Sequence, residues 1–361
     1  MSRTKTEEHR RLFVAAPDIA DGDAVGNHCL GIGKAGQRLG YEVKFFARSH
    51  KTDQAKVHPI EELPALARPE DCLFLSYSIY EPILLDLLNC QAWKVAYFHG
   101  VTPAELLEPY DRITADLCRA AINQLGQLDR CDRMLSNSQL SASVLKRHGV
   151  SKPVTIIPPF TQDIRLVVPT RPSPVKKAWN ANQDRLANLL MVGRVVPHKS
   201  IEEAIEAVGL LIRSGIQVQL EIVGSTPCTE YLRSLKALVN RNSLQTAIKF
   251  LGHLSEEEKS NCYQRADIFI QCSQHEGFCV PLFEAMQYGL PLLLSPEAAA
   301  TGTTDSSIHI VAKGASTLRD RIAEFLSCPE EWTLRTERGI QRARDLFELV
   351  ADRNLKPLFL R

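Results

Sequence analysis

The segment with the most chemical information spans residues 275–286 and carries two glutamates, Glu276 and Glu284, eight residues apart. An apolar strand precedes the segment, and Pro281 suits the first residue of a helix. The loop Gly277–Val280 would then lie at a helix N-terminus, where unpaired amides and the helix dipole attract anions. Both carboxylates suit hydrogen bonds from sugar hydroxyls. For Glu284, the alternative is a carboxylate in the first turn that only complements the helix dipole.

A second segment, residues 189–200, places two cations after a predicted strand. The strand ends at Gly193, and Arg194 and Lys199 follow it, five residues apart. An arginine binds a phosphate through two parallel hydrogen bonds and a lysine acts as a point charge, so the pair suits a diphosphate. Ser200 and Glu203 then predict a capping box at the start of an apolar helix, and Ser255 and Glu258 predict a second one further along the chain. The alternative is a pair of solvated surface cations, the usual state of arginine and lysine.

Together the two segments resemble the retaining GT-B glycosyltransferases of glycosyltransferase family 4. The most specific match is the pair of glutamates within residues 276–284. Weaker matches lie at residues 193–199, 220–224, 250–252 and 266–267, and in the N-terminal half at residues 22–27, 97–103 and 136–138. The resemblance therefore covers most of the chain, although residues 305–361 match only loosely.

The resemblance implies a role for each matching position. Arg194 and Lys199 would bind the diphosphate of a nucleotide sugar and stabilise the departing nucleoside diphosphate. Glu284 would bind the ribose hydroxyls, and Glu276 the hydroxyls of the transferred sugar. His99 would face the reacting sugar and the acceptor. The catalytic set is then His99, Arg194, Lys199 and Glu276, and the donor-binding set is Gly22, Gly26, Gly193, Gly277, Phe278, Cys279, Val280 and Glu284.

Simpler explanations stay open for several of these residues. Gly22 and Gly26, which the resemblance places in a loop over the diphosphate, are equally well explained as turn residues. His99 is alternatively a histidine with satisfied hydrogen bonds at the end of a strand. Asn137 and Ser138 are predicted mainly to cap the helix that follows them.

Two positions depart from the family pattern. Family members commonly carry a second glycine where this chain has Cys279, which predicts a tighter backbone approach to the ligand. After Ser295, the usual loop with glycine and glutamate is replaced by Pro296–Gly302. We therefore assign no nucleotide contact to that loop.

The composition limits the function classes. A formal net charge of +1 over 361 residues argues against nucleic acid as a partner. The ten cysteines include no Cys-x-x-Cys pair, so buried reduced thiols are expected rather than disulfides or a zinc site. The charged N-terminus does not resemble a signal peptide, and no run approaches the ~20 apolar residues of a membrane span. The expected location is the cytoplasm, with a peripheral contact at the inner face of the membrane as an open alternative.

Short apolar runs alternate with helical patterns, for example over Asn27–Leu39 and Thr114–Leu128, which is typical of parallel α/β sheets. The predicted strands are Leu12–Ala16, Val43–Ala47, Cys72–Tyr77, Lys94–Phe98, Arg133–Ser136, Val154–Ile157, Asn188–Val192, Gln219–Val223, Ile248–Leu251, Ile268–Gln271, Pro291–Ser295 and Ile308–Ala312. The predicted fold class is α/β of the GT-B type, with two Rossmann-like doubly wound domains that face each other across a cleft. The predicted domains are 1–165 and 186–345, joined by a proline-rich linker at 166–185, with 346–361 as a helix that crosses back to the first domain.

The predicted function is transfer of a hexose from a UDP- or GDP-linked sugar to a hydroxyl of a glycan, a lipid-linked or a small-molecule acceptor. By resemblance, the configuration is retained and the pathway is surface polysaccharide or glycoconjugate synthesis. No metal-binding site is assigned in the sequence, so neither a metal nor any other cofactor is expected. The alternatives are a catalytically silent GT-B scaffold and a GT-B sugar-nucleotide epimerase. A nicotinamide-dependent oxidoreductase ranks last, because no Gly-x-Gly-x-x-Gly fingerprint directly follows a predicted strand.

Overall fold

The computed structural model describes residues 10–161 and 186–360, and these residues form two compact units. The first unit contains the described parts of Met1–Ala104, Asp116–Arg165 and Leu346–Arg361. The second contains Glu105–Ala115 and the described part of Leu166–Asp345. The linker predicted at 166–185 lies outside the described residues.

The first unit is built on a seven-stranded parallel sheet in the order β3-β2-β1-β4-β5-β6-β7. The strands are β1 (Arg11–Ala20), β2 (Glu42–Lys51), β3 (Val57–Pro59), β4 (Cys72–Tyr77), β5 (Trp93–Phe98), β6 (Arg133–Ser136) and β7 (Val154–Ile156). The helices along this part of the chain are α1 (Ala24–Arg38), α2 (Leu63–Leu66), α3 (Leu84–Asn89), α4 (Arg112–Gln124) and α5 (Gln139–Arg147). The strand order reverses at the β1–β4 pair, which is the doubly wound arrangement.

The second unit has a six-stranded parallel sheet in the order β10-β9-β8-β11-β12-β13. Its strands are β8 (Ala187–Val192), β9 (Val218–Val223), β10 (Ile248–Gly252), β11 (Ile268–Gln271), β12 (Leu292–Leu294) and β13 (His309–Val311). The helices are α6 (Ile201–Arg213), α7 (Thr229–Arg241), α8 (Glu256–Arg265), α9 (Val280–Gln287), α10 (Pro296–Ala299), α11 (Ala315–Ser327) and α12 (Thr333–Leu349), and α13 (Asp352–Leu355) follows in the first unit.

Each sheet contains a strand that is buried along its whole length. Every residue of β4 and every residue of β11 is buried. This explains why both strands read as continuous apolar runs rather than as alternating patterns. In the second unit, Leu220 of β9 and Ile268 of β11 share one core cluster with Val208 of α6 and Phe325 of α11.

The twelve predicted strands are all present, and three of them have the predicted bounds: Cys72–Tyr77, Arg133–Ser136 and Ile268–Gln271. The prediction missed β3, which has only three residues and ends on a proline. The helix predicted at 114–128 runs instead over Arg112–Gln124 and continues as a 3-10 helix, Leu125–Arg130. All ten cysteines are free, and eight of them are buried.

The two predicted capping boxes have different outcomes. Ser255 and Glu258 form one at the start of α8, as predicted. The prediction for Ser200 was wrong, because this residue has a left-handed backbone (φ 46°) and its side chain makes no capping bond. Its Oγ accepts a hydrogen bond from Gln274 Nε2 at 2.8 Å instead. Glu203 accepts a hydrogen bond from the Gly314 amide at 3.0 Å.

The C-terminal segment packs on the first unit. Asp352 of α13 forms an ion pair with Arg38 of α1 at 2.8 Å. The Phe359 ring lies edge-on to Phe74 of β4 and to Tyr41. Among the described residues, none of the helices is both long and apolar enough to cross a bilayer.

Candidate active site

Two loops of the second unit meet where its strand order reverses. Strands β8 and β11 are hydrogen-bonded neighbours, and the sheet extends from this pair in both directions. Residues 193–200 follow β8, and residues 272–279 follow β11. Ligands of doubly wound folds bind beyond the carboxyl ends of the strands at such a switch point. The two segments singled out in the sequence therefore share one edge of one sheet.

An ion pair joins the two loops. Lys199 Nζ donates to Glu276 Oε1 at 2.5 Å, and both side chains are largely buried. Gln271 Nε2 and Ser273 Oγ donate to the same oxygen at 2.6 and 2.7 Å. Burial alone would raise the pKa of Glu276, but Lys199 and these hydrogen bonds outweigh it and lower the pKa to about 2. Glu276 is therefore a carboxylate at any physiological pH.

The loop after β8 depends on a close backbone approach. Arg194 is exposed on this loop, and the Lys199 side chain lies over Gly193. A Cβ on Gly224 would lie 1.9 Å from the Gly193 carbonyl oxygen, so only a glycine fits at position 224. His198 is buried here, and burial together with the nearby Lys199 lowers its pKa to about 3.

The loop after β11 has an unusual backbone at Cys279. The left-handed conformation of this loop falls on Cys279 (φ 65°) and not on Gly277. The thiol is buried and hydrogen-bonds Glu276, and burial raises its pKa well above the ordinary range. Thr303 Oγ1 donates to the Phe278 carbonyl and supports the loop from the segment after α10. Helix α9 begins at Val280, one residue before the predicted start at Pro281.

Glu284 lies in the second turn of α9 and not in the first, so the helix-dipole explanation is wrong for it. Its Oε1 accepts a hydrogen bond from Lys259 Nζ at 2.9 Å, and its Oε2 accepts one from Tyr263 Oη at 2.6 Å. Neither partner of Glu284 is predicted from the sequence. Lys259 and Tyr263 are four residues apart, which places them on one face of α8. Nothing in the sequence, however, predicts that α8 packs beside α9.

His99 lies in the first unit, directly after β5. Its Nε2 is 2.8 Å from Ser76 Oγ, and its ring packs against those of Tyr97 and His28. Burial lowers the pKa of His99 to about 3, so the ring is neutral at physiological pH. Asn137 was predicted to cap α5, but its Nδ2 donates to the His99 carbonyl at 2.6 Å, and Ser138 alone caps the helix.

The two glycines of the first unit have different environments. Gly22 lies in the turn after β1 with a positive φ of 76°. Gly26 lies inside the first turns of α1 and not in a loop, which corrects the prediction for this residue. A Cβ at Gly26 would lie 2.1 Å from the Ala20 carbonyl oxygen, so this glycine lets α1 pack on the end of β1. Asp23 caps the helix and accepts from the Val25 amide at 3.0 Å.

The second unit thus places Arg194, Lys199, Glu276 and the loop 277–280 on adjacent loops, with Glu284 in the helix that follows.

Residues 175–344 match the family model "Glycosyl transferases group 1". A GDP-mannose-dependent monoacylated alpha-(1-6)-phosphatidylinositol monomannoside mannosyltransferase of Corynebacterium glutamicum is 29% identical over 140 residues, which cover 37% of this chain and 35% of that protein. O-antigen chain mannosyltransferase B of Escherichia coli is 24% identical over 243 residues, 66% of this chain and 61% of that protein.

A solved structure extends the similarity to the fold. Alr3699/HepE of Anabaena, in complex with UDP and glucose, has a TM-score of 0.74 at 14% identity, over 96% of this chain and 98% of that one. The fold is therefore GT-B, with two Rossmann-like domains. The family model covers just under half of the chain. The alignments span only about a third and about three fifths of the two curated relatives, so their printed activities describe those proteins alone.

Proposed function

We propose that this protein is a hexosyltransferase that moves a sugar from a nucleoside diphosphate to an acceptor hydroxyl and retains the anomeric configuration. One observation carries the proposal: Lys199, the buried carboxylate of Glu276 and the N-terminus of α9 meet at the switch point of the second sheet. A cation and a helix N-terminus attract phosphate, and a fixed carboxylate accepts hydrogen bonds from sugar hydroxyls. The family match over residues 175–344 supports the same class of reaction.

The leaving group is the part of the substrate that these residues suit best. Breaking the bond between the anomeric carbon and the diphosphate builds negative charge on the departing phosphate. Lys199 has three ammonium protons and donates one to Glu276, so it can bridge Glu276 and a phosphate oxygen. Arg194 lies on the same loop, and the first amides of α9 have no acceptor within the helix. Preorganised donors of this kind stabilise developing charge by about 3 kcal/mol each.

Glu276 would orient the transferred sugar. Glu276 Oε1 accepts from Lys199, Gln271 and Ser273, so a sugar hydroxyl would bind the other carboxylate oxygen. His99 is neutral, which makes it a hydrogen-bond partner for a hydroxyl rather than a proton donor.

The proton of the acceptor hydroxyl needs a base. In a retaining reaction the acceptor attacks from the face that the diphosphate leaves. The departing phosphate oxygen can therefore accept the acceptor's proton, and no protein nucleophile is required. Lys199 and Arg194 supply the positive potential that other transferases take from a metal ion. The proposal is therefore metal-independent transfer.

The acceptor class follows from the relatives. The Escherichia coli relative is named for the O-antigen chain and the Corynebacterium relative for a phosphatidylinositol mannoside. We therefore infer a glycan or glycolipid acceptor in surface polysaccharide or glycoconjugate synthesis. The Corynebacterium relative is named as GDP-mannose-dependent, whereas the Anabaena structure holds UDP, so the test includes both bases.

The test begins with a thermal-shift panel of UDP, GDP and their hexose conjugates, followed by a transfer assay with the ligand that stabilises most. Lys199→Ala and Glu284→Ala should each weaken affinity for the nucleotide sugar at least tenfold, because each removes a charged contact. Lys236→Ala, at an exposed lysine of α7, is the matched control. Unchanged affinity in both site variants would overturn the site assignment. Inversion at the anomeric carbon, or loss of activity in EDTA, would overturn the mechanism.

A further inference from the structure

Helix α8 holds the carboxylate of Glu284 through two side chains that no sequence motif identifies. Lys259 Nζ lies 2.9 Å from Glu284 Oε1, and Tyr263 Oη lies 2.6 Å from Glu284 Oε2. Each carboxylate oxygen therefore receives one hydrogen bond from α8. The carboxylate is only 14% exposed and the lysine 22%, so the ion pair is shielded from most of the solvent.

The acceptor sites that remain on the Glu284 carboxylate indicate the kind of ligand it can bind. A carboxylate has about four acceptor sites, two on each oxygen. Lys259 uses one site on Oε1 and Tyr263 uses one on Oε2, which leaves one on each oxygen. Two acceptors on neighbouring oxygens, held in a fixed plane, match two adjacent hydroxyl groups. A ribose presents such a pair at its 2′ and 3′ positions.

The tyrosine is fixed by its own surroundings. Tyr263 is buried, and its ring stacks on that of Tyr288 at 5.2 Å with an interplanar angle of 6°. Tyr288 Oη in turn pairs with Ser260 Oγ at 2.7 Å. Burial raises the pKa of Tyr263 well above its ordinary range, so its hydroxyl keeps its proton and remains a donor to Glu284.

The lysine is fixed by charge. Burial alone would lower the pKa of Lys259, but Glu284 and Glu256 outweigh it and raise the pKa. The ammonium therefore stays charged and holds Glu284 Oε1 in place. Glu256 is almost fully exposed and lies three residues before Lys259 on the same helix. A surface ion pair of that kind contributes little by itself, so Glu284 is the partner that matters here.

We propose that Lys259 and Tyr263 are positioning residues that aim the Glu284 carboxylate at the vicinal diol of a ribonucleoside diphosphate. This inference rests on the proposed function, because it assumes that the second unit binds a nucleotide. Neither residue touches the ligand; each acts through Glu284. The consequence is a specific one: the protein discriminates ribonucleotides from 2′-deoxy and 3′-deoxy nucleotides only while both residues hold the carboxylate.

The experiment measures dissociation constants by calorimetry for the nucleoside diphosphate that binds best and for its 2′-deoxy and 3′-deoxy forms. The wild-type protein should prefer the ribonucleotide by ~10-fold or more, because each deoxy form loses a hydrogen bond to a charged group. Lys259→Met and Tyr263→Phe should each reduce this preference to within about threefold. In the transfer assay, KM should rise while kcat changes little, since the ribose is remote from the bond that breaks.

The controls separate positioning from folding. Tyr288→Phe keeps the stacked ring and removes a hydroxyl that bonds only Ser260 among the contacts described, so it should discriminate like the wild type. Lys236→Met removes an exposed lysine of the neighbouring helix and should also behave like the wild type. Thermal unfolding of every variant checks that the fold survives, and a variant that unfolds is replaced by Lys259→Leu or Tyr263→Leu, which also lack the donor to Glu284.

Two failures have different meanings. If Glu284→Gln abolishes the ribose preference while Lys259→Met and Tyr263→Phe keep it, the positioning role is wrong and the proposed function stands. If the wild-type protein binds no nucleoside diphosphate, the proposed function itself is wrong and this inference falls with it.

Discussion

Two of the predicted catalytic residues follow the carboxyl ends of central strands, yet their surroundings differ in charge. Lys199 of the second unit is paired with the buried carboxylate of Glu276, which accepts two further hydrogen bonds. His99 of the first unit is a neutral ring that shares one hydrogen bond with Ser76 and packs against aromatic rings. The charged side chains that would bind a diphosphate therefore lie in the second unit. In the first unit, the His99 ring can make a directional hydrogen bond but carries no charge.

The largest expected effect is a loss of kcat/KM, and it should differ between variants of Lys199 and His99. Lys199→Ala should lower kcat/KM by ~10²- to 10³-fold, because it removes a cation from the leaving phosphate. His99→Ala should cost only about tenfold, the value of one neutral hydrogen bond, and should leave nucleoside diphosphate affinity unchanged. Steady-state kinetics and calorimetry on both variants provide the test. A larger loss for His99→Ala than for Lys199→Ala would reverse the comparison.

The second prediction concerns the backbone under Lys199. Gly224→Ala places a Cβ against the Gly193 carbonyl oxygen. The clash is between two backbone segments, so it cannot be relieved by rotating a side chain. It should destabilise the protein by about 3 kcal/mol or more and weaken nucleoside diphosphate binding. The matched control is Gly215→Ala, which also has a positive φ but meets no atom within 4 Å, and should cost only ~1 kcal/mol. Equal losses of stability in the two variants, measured by urea unfolding, would contradict this account.

The third prediction concerns acid. His99 and His198 are neutral in the folded protein with pKa values of about 3, whereas an unfolded histidine titrates near its ordinary value. The unfolded chain therefore binds more protons below pH 6.5, so the free energy of unfolding falls as the pH falls. Between pH 7 and pH 5, each histidine should account for about 1–2 kcal/mol of this loss.

The measurement is urea unfolding at pH 7, 6 and 5. His198→Gln, which cannot titrate, should flatten the pH dependence by the share of that one histidine, and His99→Gln should do the same for the other. An unchanged pH dependence in both variants would show that neither ring is held neutral by burial.

The smallest expected effect concerns Cys279. Its left-handed backbone favours glycine, so Cys279→Gly should change stability by less than ~1 kcal/mol, while Cys279→Val should cost about 2 kcal/mol because a β-branched residue resists this conformation. Differential scanning calorimetry of the two variants and the wild-type protein measures this difference in stability. If the valine variant were the more stable of the two, backbone strain would not govern this position.

Much of the fold could be predicted from the sequence because its signals are local. Burial along the whole strand makes β4 and β11 largely apolar runs, and the predicted bounds of both match the structure. The capping box of Ser255 and Glu258 involves only four consecutive residues, so it was equally visible. The grouping of Arg194, Lys199 and Glu276 followed from a family motif and from the rule that parallel strands end at one edge.

Tertiary structure decided the contacts between segments that lie far apart in the chain. Ser200 has the sequence of a capping residue, but its hydroxyl accepts a hydrogen bond from Gln274, and its backbone adopts a conformation that local propensity disfavours. Glu284 contacts Lys259 and Tyr263 because α8 packs beside α9, which no periodicity encodes. Hydrogen bonds and ion pairs across such distances depend on where the sheet places each helix, and that placement is a property of the whole domain.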